Sequence, residues 1–213
     1  MIINIIPGAR WGRRLWAQPI QALPTTARQH FLVHYDGGTP ITRNGDAVPR
    51  AVDKEHHGNG WAGIGYNLLV DQAGNIYEGR GWNLVGAHCP NFNRNSIGVQ
   101  VAIGGSQEPP QAAKAAIIAL YAEASRLAGK NLAKAYHGEH FSTSCAGSNL
   151  IPWVKAGMPP ERCSTTGAAG FSRVLGLCSY SSQARDEHVA DRHRWRVGEG
   201  HNQPVAEGHG HAR

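Results

Sequence analysis

The sequence predicts an α/β (α+β) fold over residues 1–160: a single central mixed β-sheet flanked by helices, with a candidate metal site at one face. A poorly structured C-terminal tail follows over residues 161–213. Three observations predict this. Short apolar, β-favouring runs recur between clusters of turn residues. One long Ala-, Ile- and Leu-rich segment has helical composition and clear boundaries. Apolar patterning fades after Pro159-Pro160. Strands mixed with helices call for one sheet with helices packed on it.

In chain order, Phe31-Leu32-Val33-His34 is an apolar run that reads as a buried strand over 30–35. Residues 36–47 hold Gly-Gly, Thr-Pro and Asn-Gly, all turn signals. Residues 48–57 read as a short helix. Ile64 to Val70 is β-favouring, Asp71-Gln72-Ala73-Gly74 is a turn, and 75–78 is a second strand, so the pair reads as a hairpin. Residues 96–103 form another strand. Pro109-Pro110 precede a helix over 111–128, and Gly129 suits its C-cap. A strand near 132–137 delivers His137, and Pro152 and Trp153 mark a last short helix. The tail is rich in Gly, Ser, Arg and His, so disorder is expected over 180–213. Gly208-His209-Gly210-His211 has the composition of an adventitious metal binder.

The 213 residues suffice for one sizeable domain plus an appendage. No apolar run reaches the roughly 18 residues a transmembrane helix needs, so no membrane insertion is expected. The segment Met1-Ile2-Ile3-Asn4-Ile5-Ile6-Pro7 has no basic start and no small-residue cleavage site, and so does not read as a secretory signal. Net charge is +6, with 14 Lys/Arg against 9 Asp/Glu before residue 160. These charges are scattered rather than clustered, which argues against a nucleic-acid partner. Of the four cysteines, Cys89 reads as a small buried residue, while Cys163 and Cys178 could pair in an oxidising space.

Two imidazoles and one thiol, His34, His137 and Cys145, have the ligand types of a catalytic zinc site. Three protein ligands leave the fourth tetrahedral position open, whereas structural sites are closed by four. Spacing does not show that they converge, because His34 lies far upstream of the other two. From the residues alone, a buried strand-end histidine plus a structural cysteine is the competing reading.

Further motifs bear on that choice. Ile5-Ile6-Pro7-Gly8-Ala9-Arg10-Trp11-Gly12 opens the chain. Gly60-Trp61-Ala62-Gly63-Ile64-Gly65-Tyr66-Asn67-Leu68-Leu69-Val70 and Gly74-Asn75-Ile76-Tyr77-Glu78-Gly79-Arg80-Gly81-Trp82-Asn83 follow. Val85-Gly86-Ala87-His88 and Asn95-Ser96-Ile97-Gly98-Val99 come next, and the segment from His137 to Cys145 closes the series. In this order, over residues 2–157, the sequence resembles the type 2 N-acetylmuramoyl-L-alanine amidases, a family that includes phage lysozyme-type amidases and animal peptidoglycan recognition proteins. Three departures stand out. His137-Gly138-Glu139 replaces the family's His-Arg-Asp, Cys145-Ala146-Gly147 replaces Cys-Pro-Gly, and Tyr35 follows His34 where a second histidine is common. None removes a metal ligand.

The resemblance implies one Zn2+ per chain held by His34, His137 and Cys145, and cleavage of the amide joining N-acetylmuramic acid to L-alanine. It implies Tyr66 and Thr143 as catalytic groups. Their alternatives from the residues are a core aromatic and a turn residue. Gly60, Trp61 and Arg80 match positions that accompany preference for diaminopimelate-type stem peptides, since an arginine can pair bidentately with the extra carboxylate. The alternative is that Trp61 packs the core and Arg80 holds a loop. His88 is read as substrate-binding or as an ordinary loop histidine. His140 ranks below His137 as a ligand, and His56 and His57 read as solvated or groove-lining.

The expected protein is a monomeric phage or prophage endolysin that acts on peptidoglycan. It is made in the cytoplasm without a signal peptide and reaches the wall with a separate membrane-permeabilising protein. A non-catalytic peptidoglycan-binding recognition module is the alternative. A zinc peptidase is disfavoured because no His-Glu-x-x-His pattern is present.

Overall fold

The strand His30–Tyr35 (β2) is buried on both faces along its middle, which is why its sequence reads as continuous apolar rather than alternating. It lies within a six-stranded mixed sheet in a computed structural model that describes residues 3–161 and the backbone of a hairpin at Ser172–Val174 and Leu177–Ser179. The other strands are β1 (Ile5–Ile6), β3 (Leu68–Val70), β4 (Ile76–Glu78), β5 (Ser96–Val101) and β6 (Ala133–Tyr136), in the order β1-β4-β3-β5-β2-β6. Within this sheet the β3–β4 pair is antiparallel and the other pairs are parallel. The expected hairpin is therefore present, and the single mixed sheet is as the sequence predicts.

Alternation along the central strands separates two layers. Phe31 and Val33 of β2, with Ile97, Val99 and Val101 of β5, pack in one cluster with the long helix α3 (Gln111–Ala128) and the short helix α5 (Leu150–Lys155). Fully burying a side chain such as Ile117 or Leu120 of α3 contributes roughly 1.5–3 kcal/mol. Pro110 starts α3, and Gly129, at φ 68°, ends it by donating to the carbonyls of Arg126 and Ser125. On the opposite side, Trp11 from the one-turn helix α1 (Gly8–Trp11) and Val52 from α2 (Ala47–Gly58) enclose Ile64, Leu69 and Tyr77.

Several boundaries differ from the sequence reading. Residues 64–67 are loop, not strand. The N–H of Ile64 donates to the Asp53 carboxylate (3.2 Å) and that of Gly65 to His56 Nδ1 (2.8 Å), so α2 side chains take donors a ladder would use. β5 ends at Val101, two residues early, where Ile103 folds back to donate to the Val101 carbonyl. His137 does not end a strand but opens a one-turn helix, α4 (His137–His140). β1 and α1 carried no distinct periodic signal in so short a span.

Arg28 is fully buried, and its guanidinium donates to the carbonyls of Asn93 (2.7 Å), Ser96 (3.2 Å) and Leu84 (3.0 Å). It ties the loops before β5 to the start of β2. Cys89 and Cys145 are free thiols. The expected disorder of 180–213, the pairing of Cys163 with Cys178 and the His209/His211 run lie outside the described residues.

Candidate metal centre

Parallel pairing brings the two histidines together. β2 and β6 run side by side with Val33 opposite Tyr136, so the next residues, His34 and His137, emerge at neighbouring C-terminal strand ends. This is where open α/β sheets place their sites. His34 is fully buried and points away from the α3 layer. The loop after α4 returns Cys145 to the same point. It is held by Gly138 N–H donating to the Cys145 carbonyl (2.6 Å), Tyr35 N–H donating to Cys145 Sγ (3.4 Å) and Cys145 N–H donating to Thr143 Oγ1 (3.3 Å).

One ligand atom from each of His34, His137 and Cys145 lies within 4.8 Å of the others. His34 Nδ1 and Cys145 Sγ are 3.7 Å apart, near the edge of about 3.5 Å that a tetrahedron with Zn–N of about 2.0 Å and Zn–S of about 2.3 Å requires. His137 Nε2 is buried without a hydrogen-bond partner. The donor set, geometry and orphaned nitrogen all fit zinc.

Electrostatics agree. Burial lowers the pKa of His34, helped by His88 and His137, and burial alone lowers that of His137, so both imidazoles are neutral, as ligands must be. Burial pushes the Cys145 thiol up to about 12, against the opposing Tyr35 N–H. A bound dication supplies the charge that makes a thiolate favourable there.

With Nδ1 of His34 turned to Cys145, its Nε2–H points at His88 Nδ1, 3.1 Å away. This tautomer is assigned from the geometry. The His88 ring lies against two glycines. A Cβ on Gly86 would meet His88 Cδ2 at 2.3 Å, and one on Gly98 would meet it at 2.4 Å. Burial, above all, holds the His88 pKa down to about 3. His88 thus sits behind a ligand rather than in the pocket described next.

Of the two catalytic candidates, Tyr66 has its ring 5.2 Å from that of His34, and burial chiefly raises its hydroxyl pKa, so it remains a proton donor. Thr143 is exposed on the Cys145 loop, its Oγ1 accepting from the Cys145 N–H.

Gly60, Trp61 and Arg80 converge in a pocket of about 360 Å³, lined also by Gln18, Val85 and Ala87. Arg80 is mostly buried, with Nε donating to the Ile64 carbonyl (2.7 Å) and Nη1 to that of Val85 (2.8 Å). It holds two loops and lines the pocket at once. A larger hollow of about 580 Å³ beside Tyr121, Ser125 and Lys130 has no chemical cluster around it.

His140 does not join the cluster; it stacks on Phe92 at 3.8 Å and meets His30 edge-on at 5.4 Å. His56, read as solvated or groove-lining, is buried between Trp61 (4.4 Å) and Tyr66 (5.6 Å). Its Nδ1 accepts from the Gly65 N–H (2.8 Å), which places the proton of the neutral ring on Nε2. The packing role of Tyr35 was also not legible: its ring fills the space a Cβ on Gly147 would need, at 2.8 Å.

A profile of the N-acetylmuramoyl-L-alanine amidase family matches residues 24–148. Peptidoglycan-recognition protein SC2 of Drosophila melanogaster is 35% identical over 104 residues, covering 46% of this chain and 53% of that protein. Peptidoglycan recognition protein 1 of Bos indicus is 32% identical over 100 residues, covering 45% and 52%. The chain thus spans about half the length of these curated relatives. Among solved structures, peptidoglycan recognition protein-LE in complex with tracheal cytotoxin, a monomeric diaminopimelic acid-type peptidoglycan, superposes with a TM-score of 0.60 at 26% identity, covering 69% of this chain and 89% of that one. The amidase LysC from Clostridium intestinale URNW shares the fold, with a TM-score of 0.59 at 24% identity over 74% of this chain and 98% of that one. The matched segment starts before β2 and ends beyond Cys145, so every element that carries the cluster falls inside it, and the chain belongs to the N-acetylmuramoyl-L-alanine amidase family.

Proposed function

We propose that this chain is a zinc-dependent amidase that hydrolyses the bond between N-acetylmuramic acid and L-alanine in peptidoglycan, as a bacteriolytic enzyme of the endolysin type. The carrying observation is the convergence of His34, His137 and Cys145 with ligand atoms within 4.8 Å. When bound, zinc supplies Lewis acidity and an activated water. The residues around it supply the rest. Tyr66, kept protonated by burial, donates a hydrogen bond to the oxyanion that develops as the amide carbon becomes tetrahedral. Thr143, at the rim, offers a second donor without charge. Trp61 and the Arg80 pocket hold the stem peptide, with the guanidinium directed at a diaminopimelate carboxylate. Among the described residues no helix is long and apolar enough to cross a membrane.

The names of the relatives favour a second reading, recognition without cleavage, and the solved complex of peptidoglycan recognition protein-LE holds a diaminopimelic acid-type ligand. A complete set of three ligands argues for catalysis in this chain.

Product analysis separates the two. Digested wall should show new N-terminal alanine and intact glycan strands. Binding to wall with no new amino termini would overturn the amidase reading. Diaminopimelate-type wall should be turned over faster than lysine-type wall, and Arg80→Ala should narrow that difference. Equal rates in the wild type would remove the specificity claim.

A further inference from the structure

Only three large apolar side chains stand exposed among the described residues: Leu15, Trp61 and Phe141. Two of them, Trp61 and Phe141, are linked to the metal centre through ring contacts, Phe141 directly and Trp61 through His56 and Tyr66. A continuous series of ring contacts runs from Trp61 to His56 (4.4 Å), to Tyr66 (5.6 Å), to His34 (5.2 Å), to His137 (4.6 Å) and to Phe141 (5.5 Å). Trp61 and Phe141 are its ends, and the two histidine ligands lie between them.

Phe141 is 46% exposed although it stacks nearly parallel on the His137 ring, at 18°. It belongs to no core cluster. Ser142, Thr143 and Ser144 follow it, all exposed. An aromatic face beside several hydroxyls, with no fixed positive charge on the loop, differs from the other flank. There Trp61 and Arg80 line one pocket. A ring stacked on a ligand histidine and open to solvent is placed to touch what enters the site.

We propose that Phe141, with the hydroxyls of Ser142 and Ser144, forms the subsite for a pyranose ring, the amino sugar on the acyl side of the scissile amide. This rests on the amidase reading above. An amide cleaved at the ligand cluster must send its amine side and its acyl side in opposite directions. The arginine-lined flank suits a peptide carrying carboxylates. The acyl side carries a sugar, whose axial C–H bonds present a weakly positive apolar face that stacks on the negative face of an aromatic ring. Its hydroxyls meet the serine hydroxyls around the ring.

The test uses the zinc-loaded full chain and two soluble substrates with the same stem peptide. One carries the N-acetylglucosaminyl-N-acetylmuramic acid disaccharide; the other carries only the N-lactoyl group. The ratio of kcat/KM for the first over the second cancels general damage to the enzyme. It should favour the sugar in the wild type and fall about tenfold, chiefly through KM, in both Phe141→Ala and Phe141→Leu, a factor worth about 1.4 kcal/mol. Phe141→Trp should restore it, and Trp61→Ala should leave it unmoved, because Trp61 serves the part common to both substrates. A wild type that cleaves both substrates equally, or a ratio unchanged in Phe141→Ala and Phe141→Leu, would overturn the sugar subsite and leave the amidase reading standing. A zinc-loaded wild type that cleaves neither substrate would overturn both.

Discussion

A histidine ligand is aimed by whatever its second nitrogen holds. In this site His34 presents Nδ1 to the cluster because Nε2–H is held by His88, and His88 is in turn fixed against Gly86 and Gly98. Outer partners of this kind are worth 10–100-fold in metal affinity. Zinc affinity, measured by chelator competition, should therefore fall by about that factor in His88→Phe. It should be largely retained in His88→Asn, whose amide oxygen falls near the Nδ1 position. His56 makes a different prediction. Burial, mainly, lowers its pKa to about 4, from an ordinary value of 6.5. As pH falls below 6.5 the unfolded chain takes up a proton that the folded chain refuses, so stability is lost between about pH 6.5 and 4 and levels off below. Thermal unfolding of His56→Asn should show a flatter pH dependence across that window than the wild type. The sequence marked His34, His137 and Cys145 through their ligand chemistry and motif order. It could not reveal the supporting roles of His88, His56 and Tyr35, which exist only through contacts with residues distant in the chain.

Elements meet here under tight steric terms. β5 turns Gly98 toward the His88 ring, and no side chain fits between them. Gly98→Ala should destabilise the fold by about 1–3 kcal/mol, the usual cost of overpacking, and should weaken zinc binding by displacing His88. Equilibrium denaturation and metal titration of the same variant check both. Arg28 is a second joint of this kind. Arg28→Met would take this donor from the carbonyls of Asn93 and Ser96 and leave that of Leu84 to Asn67 Nδ2 alone, at a cost of at least about 2 kcal/mol. β2, β3, β4 and α3 were legible because burial on one or both faces writes a period or an apolar run into the sequence. Residues 64–67 were misread as strand because their composition is apolar while the N–H groups of Ile64 and Gly65 go to Asp53 and His56 of α2. α4 was unreadable because one turn of helix has too little sequence to show a period.

At the scale of the molecule, the sheet brings together residues from β2, α4 and the loop beyond it, so a metal held there would link segments far apart in sequence. A ligand that binds only the folded state stabilises it in proportion to its affinity. Removing zinc with a chelator should therefore lower Tm, and readdition should restore it. The candidate site lies wholly within residues 3–161, as does every element that builds it. A chain ending at residue 161 should then bind zinc as the full chain does. The convergence of the ligands was not legible in the sequence, because it depends on the parallel register of β2 and β6. The most direct test of the zinc amidase is metal content and wall lysis of the wild type beside Cys145→Ser, prepared together. One zinc per chain with lysis in the wild type, and loss of both in the variant, is the expected result. A well-folded wild type that carries no zinc yet lyses wall, or a Cys145→Ser variant that keeps both metal and activity, would contradict it.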